Sequence, residues 1–316
     1  MPSPAPSDLV GDPDRVVTDA DANRTLDALG DVDEAALHRR VSGAAAAPSG
    51  PRRDALRATI GVLDLTSLRA TDHAERIRRL CDAARRPDPD DPSTPSVAAV
   101  CVTPDLVGVA RQALADDPLP GGGVRAACVA GGFPSSRTFG PVKLAEATAA
   151  LDAGAQELDV VLDRAAFLAG RYAEVLTELR GYRIACDRAV TGDGPTGLKV
   201  ILEVAELGDA TTVRRAAWLA LIAGADFVKT STGTVTPGAT PEAVLLLLET
   251  VAEFSQATGE RRGVKAAGGI RDTDTALGIL ALAESVGGDD ALTSARLRIG
   301  ASGLLDNLVA ELRGTS

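Results

Sequence analysis

Only four lysines, Lys143, Lys199, Lys229 and Lys265, stand among the 33 Lys and Arg residues of this chain. Three of them fall inside short apolar runs: LKVILEVA holds Lys199, ADFVKTS holds Lys229 and GVKAAGG holds Lys265. A guanidinium keeps its proton, whereas an amine can lose one. An ammonium with an ordinary pKa of ~10.4 is almost wholly charged at neutral pH. A second ammonium nearby and partial burial both disfavour that charge. Bringing the pKa to about 7 takes a shift of roughly three units, or about 4 kcal/mol. The neutral amine then attacks a carbonyl, and the resulting iminium stabilises a carbanion or enamine beside it. Such chemistry makes or breaks a C–C bond next to a carbonyl and calls for no metal and no cofactor. Lys229, ahead of the small hydroxyl and glycine residues of TSTG, is the first position where such an amine is expected, and an aspartate within reach could shuttle protons. A structural ion pair would explain any one of these charges; three strand lysines together with Asp64 and Asp159 point to a site.

Other chemistries are poorly supplied. Histidines number two, His38 and His73, and the four cysteines lack CxxC or Cys/His clustering, so a zinc site is not expected and a reducing cytoplasm is. Cys101 reads as strand packing, with no histidine near it in sequence to activate it. The formal net charge of −11 argues against a nucleic acid or an anionic membrane as partner. No apolar run approaches the ~20 residues of a membrane span, and MPSPAPSDLV lacks the features of a signal peptide.

The elements that must position these residues follow from the pattern. Residues 1–55 are rich in Pro, Ala, Gly, Asp and Arg and read as a partly flexible extension with one short helix near 33–40. From about Ala58, eight strand–helix units follow: ATIGVLDLT, SVAAVCVT, VRAACVAG, QELDVVLD, LKVILEVA, ADFVKTS, GVKAAGG and RLRIGAS each precede a helical pattern. Asp72 is the capping candidate for the first of these helices and Pro104 sits near the first turn of the second. Residues 56–316 are thus expected to form a TIM (β/α)8 barrel. The alternative, an open doubly wound sheet, predicts a glycine-rich first turn, and LDLTSLRATD has none. Residues 85–96, rich in Pro and Asp, read as a solvated insertion. Aromatics are only 3 % of the chain, so the core must be aliphatic, with Trp218 read as core.

In such barrels the active site lies at the C-terminal strand ends. Those ends carry Asp64 and Thr66, Cys101, Asp159, Lys199 with Glu203, Lys229 and Lys265. Small-residue turns follow the last three strands: STG with Thr232 and Gly233, AGGIR with Gly268, Gly269 and Arg271, and GASG with Gly300, Ser302 and Gly303. The last two are expected to open helices, where backbone N–H groups can hold a phosphate.

LDLTSL, AAVCVTP, ELDVV, DFVKTSTG, GVKAAGGIR and RIGASGLL, in this order and spacing over about 59–313, resemble the motifs of the deoxyribose-phosphate aldolase family. The resemblance implies a TIM barrel without metal or cofactor that reversibly cleaves 2-deoxy-D-ribose 5-phosphate to D-glyceraldehyde 3-phosphate and acetaldehyde. It implies Lys229 as the Schiff-base lysine, Lys265 as the perturbing lysine and Asp159 as the proton-transfer group. Asp64 and Thr66 would contact the sugar, with Cys101, Lys199 and Thr232 in the same substrate site. Gly233, Thr234, Gly268, Gly269, Arg271, Gly300, Ser302 and Gly303 would take the phosphate. Four positions depart from the family pattern: Thr234 replaces a lysine, Ala266 a proline, Thr103 a tyrosine and Gly303 a hydroxyl residue. The ELRGTS ending carries no tyrosine. The losses of donors at Thr234 and Gly303 predict a weakened preference for phosphorylated sugar. Barrels of this kind pair through outer helices, which makes a homodimer an expectation. Two other functions compete: a lysine aldolase of the same fold with another aldehyde substrate, and a silent barrel that only binds a sugar phosphate. A binder has no need of a lysine with a depressed pKa.

Overall fold

The computed structural model describes residues 17–115, 123–189 and 194–314. Eight parallel strands form a closed barrel: β1 (Leu63–Thr66), β2 (Ala99–Val102), β3 (Arg125–Ala130), β4 (Glu157–Val161), β5 (Gly197–Ile201), β6 (Phe227–Lys229), β7 (Gly263–Ala267) and β8 (Leu297–Ala301). The pairing of β8 with β1, Asp64 opposite Gly300, closes the wall and rules out the open sheet.

Three helices precede the barrel: α1 (Asp19–Asp27), α2 (Glu34–Ser42) and α3 (Arg52–Gly61). Outside the strands run α4 (Ala74–Arg85), α5 (Val107–Ala115), α6 (Gly140–Asp152), the short α7 (Arg164–Leu168), α8 (Tyr172–Arg188), α9 (Ala210–Ile222), α10 (Pro241–Thr258), α11 (Thr273–Gly287) and α12 (Leu304–Leu312). Strand periodicity divides the side chains by face. Leu63, Leu65, Val100, Val102, Val228 and Val264 turn outward into the main aliphatic core beneath the helices. Trp218 is 3 % exposed and meets the Phe254 ring edge-on at 5.2 Å, so it belongs to that core.

The first segment differs from its sequence reading. The expected helix near 33–40 is α2, but its flanks are helical as well. Thr18 closes a capping box on α1. The segment 58–61, expected to begin the first strand, is instead the last turn of α3, because Ala55, Leu56, Thr59 and Ile60 form a buried stripe at helical spacing. A boundary at 55/56 therefore falls inside a helix. α1 packs on α8 and α9, α2 on α10, and α3 on α11 and α12. Residues 1–16 lie outside the described residues.

Two smaller expectations change. Asp72 does not cap α4; His73 is the N-cap residue, without a side-chain bond. The Asp72 carboxylate instead accepts from Ser67 Oγ at 2.7 Å and from Arg69 N at 2.9 Å, which shapes the loop leaving β1. The 85–96 insertion is pinned rather than free in solvent: Asp88 takes the Arg313 guanidinium and Asp91 takes Arg57 at 3.1 Å.

Candidate active site

Strand register brings the three strand lysines together. Lys229 and Lys265 are direct partners across β6 and β7, and Asp159 and Lys199 are direct partners across β4 and β5. All four side chains point into the barrel. Lys229 Nζ and Lys265 Nζ each lie 2.8 Å from the same oxygen, Asp159 Oδ2, while Lys199 Nζ lies 2.8 Å from Asp159 Oδ1. Beneath them Lys265 reaches Asp64 Oδ2 at 2.6 Å, and Lys199 reaches Glu157 Oε2 at 2.5 Å. Arg298 joins the two lower carboxylates, with Asp64 Oδ1 at 2.7 Å and Glu157 Oε1 at 2.8 Å. Gly300 makes room for this packing: a Cβ there would stand 3.1 Å from Lys265 Cε.

The charges do not balance. Three carboxylates, Asp64, Glu157 and Asp159, face four cations, Lys199, Lys229, Lys265 and Arg298, and none of the seven residues is more than 4 % exposed. The partly exposed Arg125 adds a rim contact to Glu157. One buried positive charge is therefore in excess, and an uncharged lysine would bring the seven groups to neutrality. Burial pushes the Lys229 ammonium below its ordinary range, and the Lys265 charge adds to this against the pull of Asp159. Burial acts on Lys265 too, but the carboxylates of Asp159 and Asp64 outweigh it and hold the pKa above the usual range. Lys199 is likewise raised against burial, by Asp159 and Glu157. Burial opposes ionisation of Asp159, yet its three lysine partners keep it well below the usual carboxylate range. Lys229 is thus the one lysine of the three whose surroundings lower its pKa.

Above this cluster opens a cavity of about 650 Å³. Its walls include Thr66, Lys229, Thr232, Gly233, Thr234, Gly268, Gly269, Arg271, Gly300, Ser302 and Gly303. The residues expected around a phosphate therefore converge on one chamber, with Lys229 on its wall. Asp64, Cys101, Lys199, Asp159 and Lys265 do not line it and lie buried below. The alternation of the strands explains this: Asp64 is two residues before Thr66 on the same face, one layer deeper. Cys101 sits in a small apolar patch with Ala99, Ala127 and Val129, its thiol 4.0 Å from Asp159 Oδ2 and pushed up in pKa by burial.

The rim is built from close backbone approaches. Gly268 has φ +93°, and Gly238 packs so tightly on it that a Cβ on Gly238 would stand 2.3 Å from the Gly268 carbonyl oxygen. The GASG turn leads into α12, whose N-cap Gly303 makes no side-chain cap bond and leaves first-turn N–H groups free for an anion. AGGIR does not open its helix. Asp272 caps α11 by accepting from Thr275 N, which leaves Arg271 in the loop on the cavity wall.

Several residues escaped the sequence reading. Arg69 and Phe133 also line the chamber. Glu157 and Arg298 complete the buried cluster, and each could have been found by stepping back two residues along a strand from Asp159 and Gly300. Glu203 lies beyond the end of β5 rather than on it. Among the described residues, no group of three or more His, Cys, Asp or Glu side chains is placed to hold a metal ion, and no helix is long and apolar enough to cross a membrane.

The chain is 37 % identical to the human deoxyribose-phosphate aldolase over 258 residues, covering 79 % of this chain and 78 % of that one. The mouse deoxyribose-phosphate aldolase is 37 % identical over 259 residues, with the same coverages. The tetrameric deoxyribose phosphate aldolase of Aeropyrum pernix superposes with a TM-score of 0.59 at 28 % identity, covering 82 % of this chain and 92 % of that one. The model of the DeoC/LacD family aldolases matches residues 59–304, a span that holds every strand and every lysine of the buried cluster, and the chain belongs to that family.

Proposed function

We propose that this aldolase reversibly cleaves 2-deoxy-D-ribose 5-phosphate to D-glyceraldehyde 3-phosphate and acetaldehyde through a Schiff base on Lys229. The observation that carries the reading is the pair of lysine nitrogens on one Asp159 oxygen, with Lys229 alone opening to the chamber. The neutral Lys229 amine attacks C1 of the open-chain sugar, and loss of water from the carbinolamine leaves an iminium. Its positive charge draws the electrons of the C2–C3 bond as that bond breaks. The C3 hydroxyl gives up its proton and leaves as the carbonyl of D-glyceraldehyde 3-phosphate. The enamine takes a proton at C2, and water releases acetaldehyde. Asp159, hydrogen-bonded to Lys229, passes protons at the carbinolamine, and the Lys265 charge lowers the pKa of both Asp159 and Lys229. The sugar phosphate lies against the 233–234, 268–271 and 300–303 turns, where Arg69 and Arg271 supply positive charge. Four free, buried cysteines support a cytoplasmic setting.

Incubation with acetaldehyde and borohydride should add an ethyl group to the peptide containing Lys229. Labelling at Lys265 or Lys199 would reverse the assignment. Trapping at Lys229 without turnover of deoxyribose 5-phosphate would move the reading to another aldehyde substrate.

The proposal extends to self-association through α6 and α7. Phe139, Val142, Leu144 and Leu168, between 39 % and 79 % exposed, are large apolar side chains left on that surface. The other outer helices α8 to α12 are partly covered by α1, α2 and α3 of the same chain.

A further inference from the structure

Glu203 follows β5 in a left-handed conformation, φ +56° and ψ +65°, that side chains other than glycine rarely adopt. It is fully buried, and its Oε1 meets no hydrogen-bond partner among the described residues. The other oxygen, Oε2, accepts from Thr232 N at 3.2 Å and from the Thr232 hydroxyl. Thr232 Oγ1 lies in turn 2.8 Å from Thr234 Oγ1 and accepts from Thr234 N at 3.2 Å.

The direction of this chain is fixed by counting hydrogens. A hydroxyl has one hydrogen and two lone pairs. Oε2 accepts from the Thr232 N–H and takes the single Thr232 hydroxyl hydrogen as well. The Thr234 hydroxyl must then donate to Thr232 Oγ1. Both hydrogen-bond donors of Thr234, its hydroxyl and its N–H, are consumed inside the turn, and Thr234 shows only lone pairs to the chamber it lines. A phosphate group brings acceptors alone, so lone pairs facing it are repulsive. An unphosphorylated tail brings a hydroxyl that can donate to them.

We infer that Glu203 is a specificity-determining positioning residue: it polarises the Thr232–Thr234 hydroxyls so that this wall of the chamber favours a neutral hydroxyl tail over a phosphate. The inference rests on the reading above that this chamber holds the far end of the sugar. Arg69, Arg271, Ser302 and the first turn of α12 still attract phosphate, so phosphorylated sugar remains a substrate, with a narrowed margin over the free sugar.

The test compares kcat/KM for deoxyribose 5-phosphate and for deoxyribose, together with calorimetric binding of inorganic phosphate. Glu203→Leu and Thr232→Val each free the Thr234 hydroxyl to donate, and each should raise the preference for the phosphorylated sugar and tighten phosphate binding by about fivefold. Glu203→Gln keeps an acceptor at the same place and should retain the parental ratio. Adding Thr234→Val to Thr232→Val should cancel the gain. A purely structural role would lower both kcat/KM values together and leave their ratio unmoved. Should Glu203→Leu fail to fold, Thr232→Val alone decides the matter. If neither sugar is turned over, the substrate reading fails, and phosphate affinity still tests the hydroxyl relay. Unchanged phosphate affinity and an unchanged sugar ratio in Thr232→Val overturn the inference.

Discussion

Lys229 and Lys265 are neighbours in register and share one carboxylate oxygen, yet their pKa values move in opposite directions. The difference lies in depth. Lys265 has a second carboxylate, Asp64, beneath it, while Lys229 has only Asp159 and an open chamber above. Removing the Lys265 charge removes a repulsion that lowers the Lys229 pKa and leaves Asp159 to fewer cations. The Lys229 pKa then rises, so the rising limb of kcat/KM should move to higher pH in Lys265→Leu, with kcat reduced at least about 10²-fold at neutral pH. An active Lys265→Leu protein with the parental pH profile would reject that role. Asp159→Asn should lose 10²- to 10⁴-fold in kcat, as expected for a general acid–base group; a loss under about tenfold would make Asp159 structural. At this scale the sequence was most legible where a residue type was scarce. The rarity of lysine exposed Lys199, Lys229 and Lys265. Arginine is common here, so Arg298 stood out only once β8 gave it a face and a depth. Glu203 was expected on the fifth strand, but it follows that strand in a left-handed conformation that strand periodicity does not foresee.

The elements were legible wherever an apolar run was bounded by glycine, and all eight strands appear in their expected order. The ends were less so. ATIG reads equally as strand or helix in isolation, and the buried stripe of α3 against α11 and α12 decides it. The five-residue α7 left no periodic signal long enough to detect. The contact between Gly238 and Gly268 was likewise invisible, because it joins two loops that do not adjoin in sequence. It yields a prediction for the rim. In Gly238→Ala the new methyl meets a backbone carbonyl and cannot be accommodated by side-chain rotation. The Gly268–Gly269 turn must shift, at about 1–3 kcal/mol. KM for deoxyribose 5-phosphate should rise about tenfold with a smaller change in kcat, and the melting temperature should fall. Parental kinetics in a less stable Gly238→Ala protein would show that this turn does not hold the substrate.

Across the whole molecule, the three leading helices restrict where another copy can dock. Arg40 pairs with Glu249 at 2.8 Å, and Arg53 donates to the Leu312 carbonyl at 2.8 Å, fixing α2 and α3 to the barrel. If copies associate through α6 and α7, light scattering should give a multiple of the chain mass for the parent and the single-chain mass for Phe139→Asp/Val142→Asp. A parent of single-chain mass would remove the idea. The composition of residues 1–55 suggested flexibility because its large apolar residues are few, yet Ala22, Leu26, Leu37 and Ala55 are buried in the main core.

The bond between Arg298 and Asp64 spans 234 positions and crosses the seam where the last strand meets the first. Contacts of such separation form late, after the entropy of closing the intervening chain has been overcome. During synthesis β1 emerges with an unpaired edge and waits for nearly the whole polypeptide before its partner exists. The guanidinium that closes the wall is also the one that anchors the carboxylate under Lys265. Until β8 pairs with β1, the chain therefore has neither a closed wall nor the guanidinium that holds the carboxylate beneath Lys265.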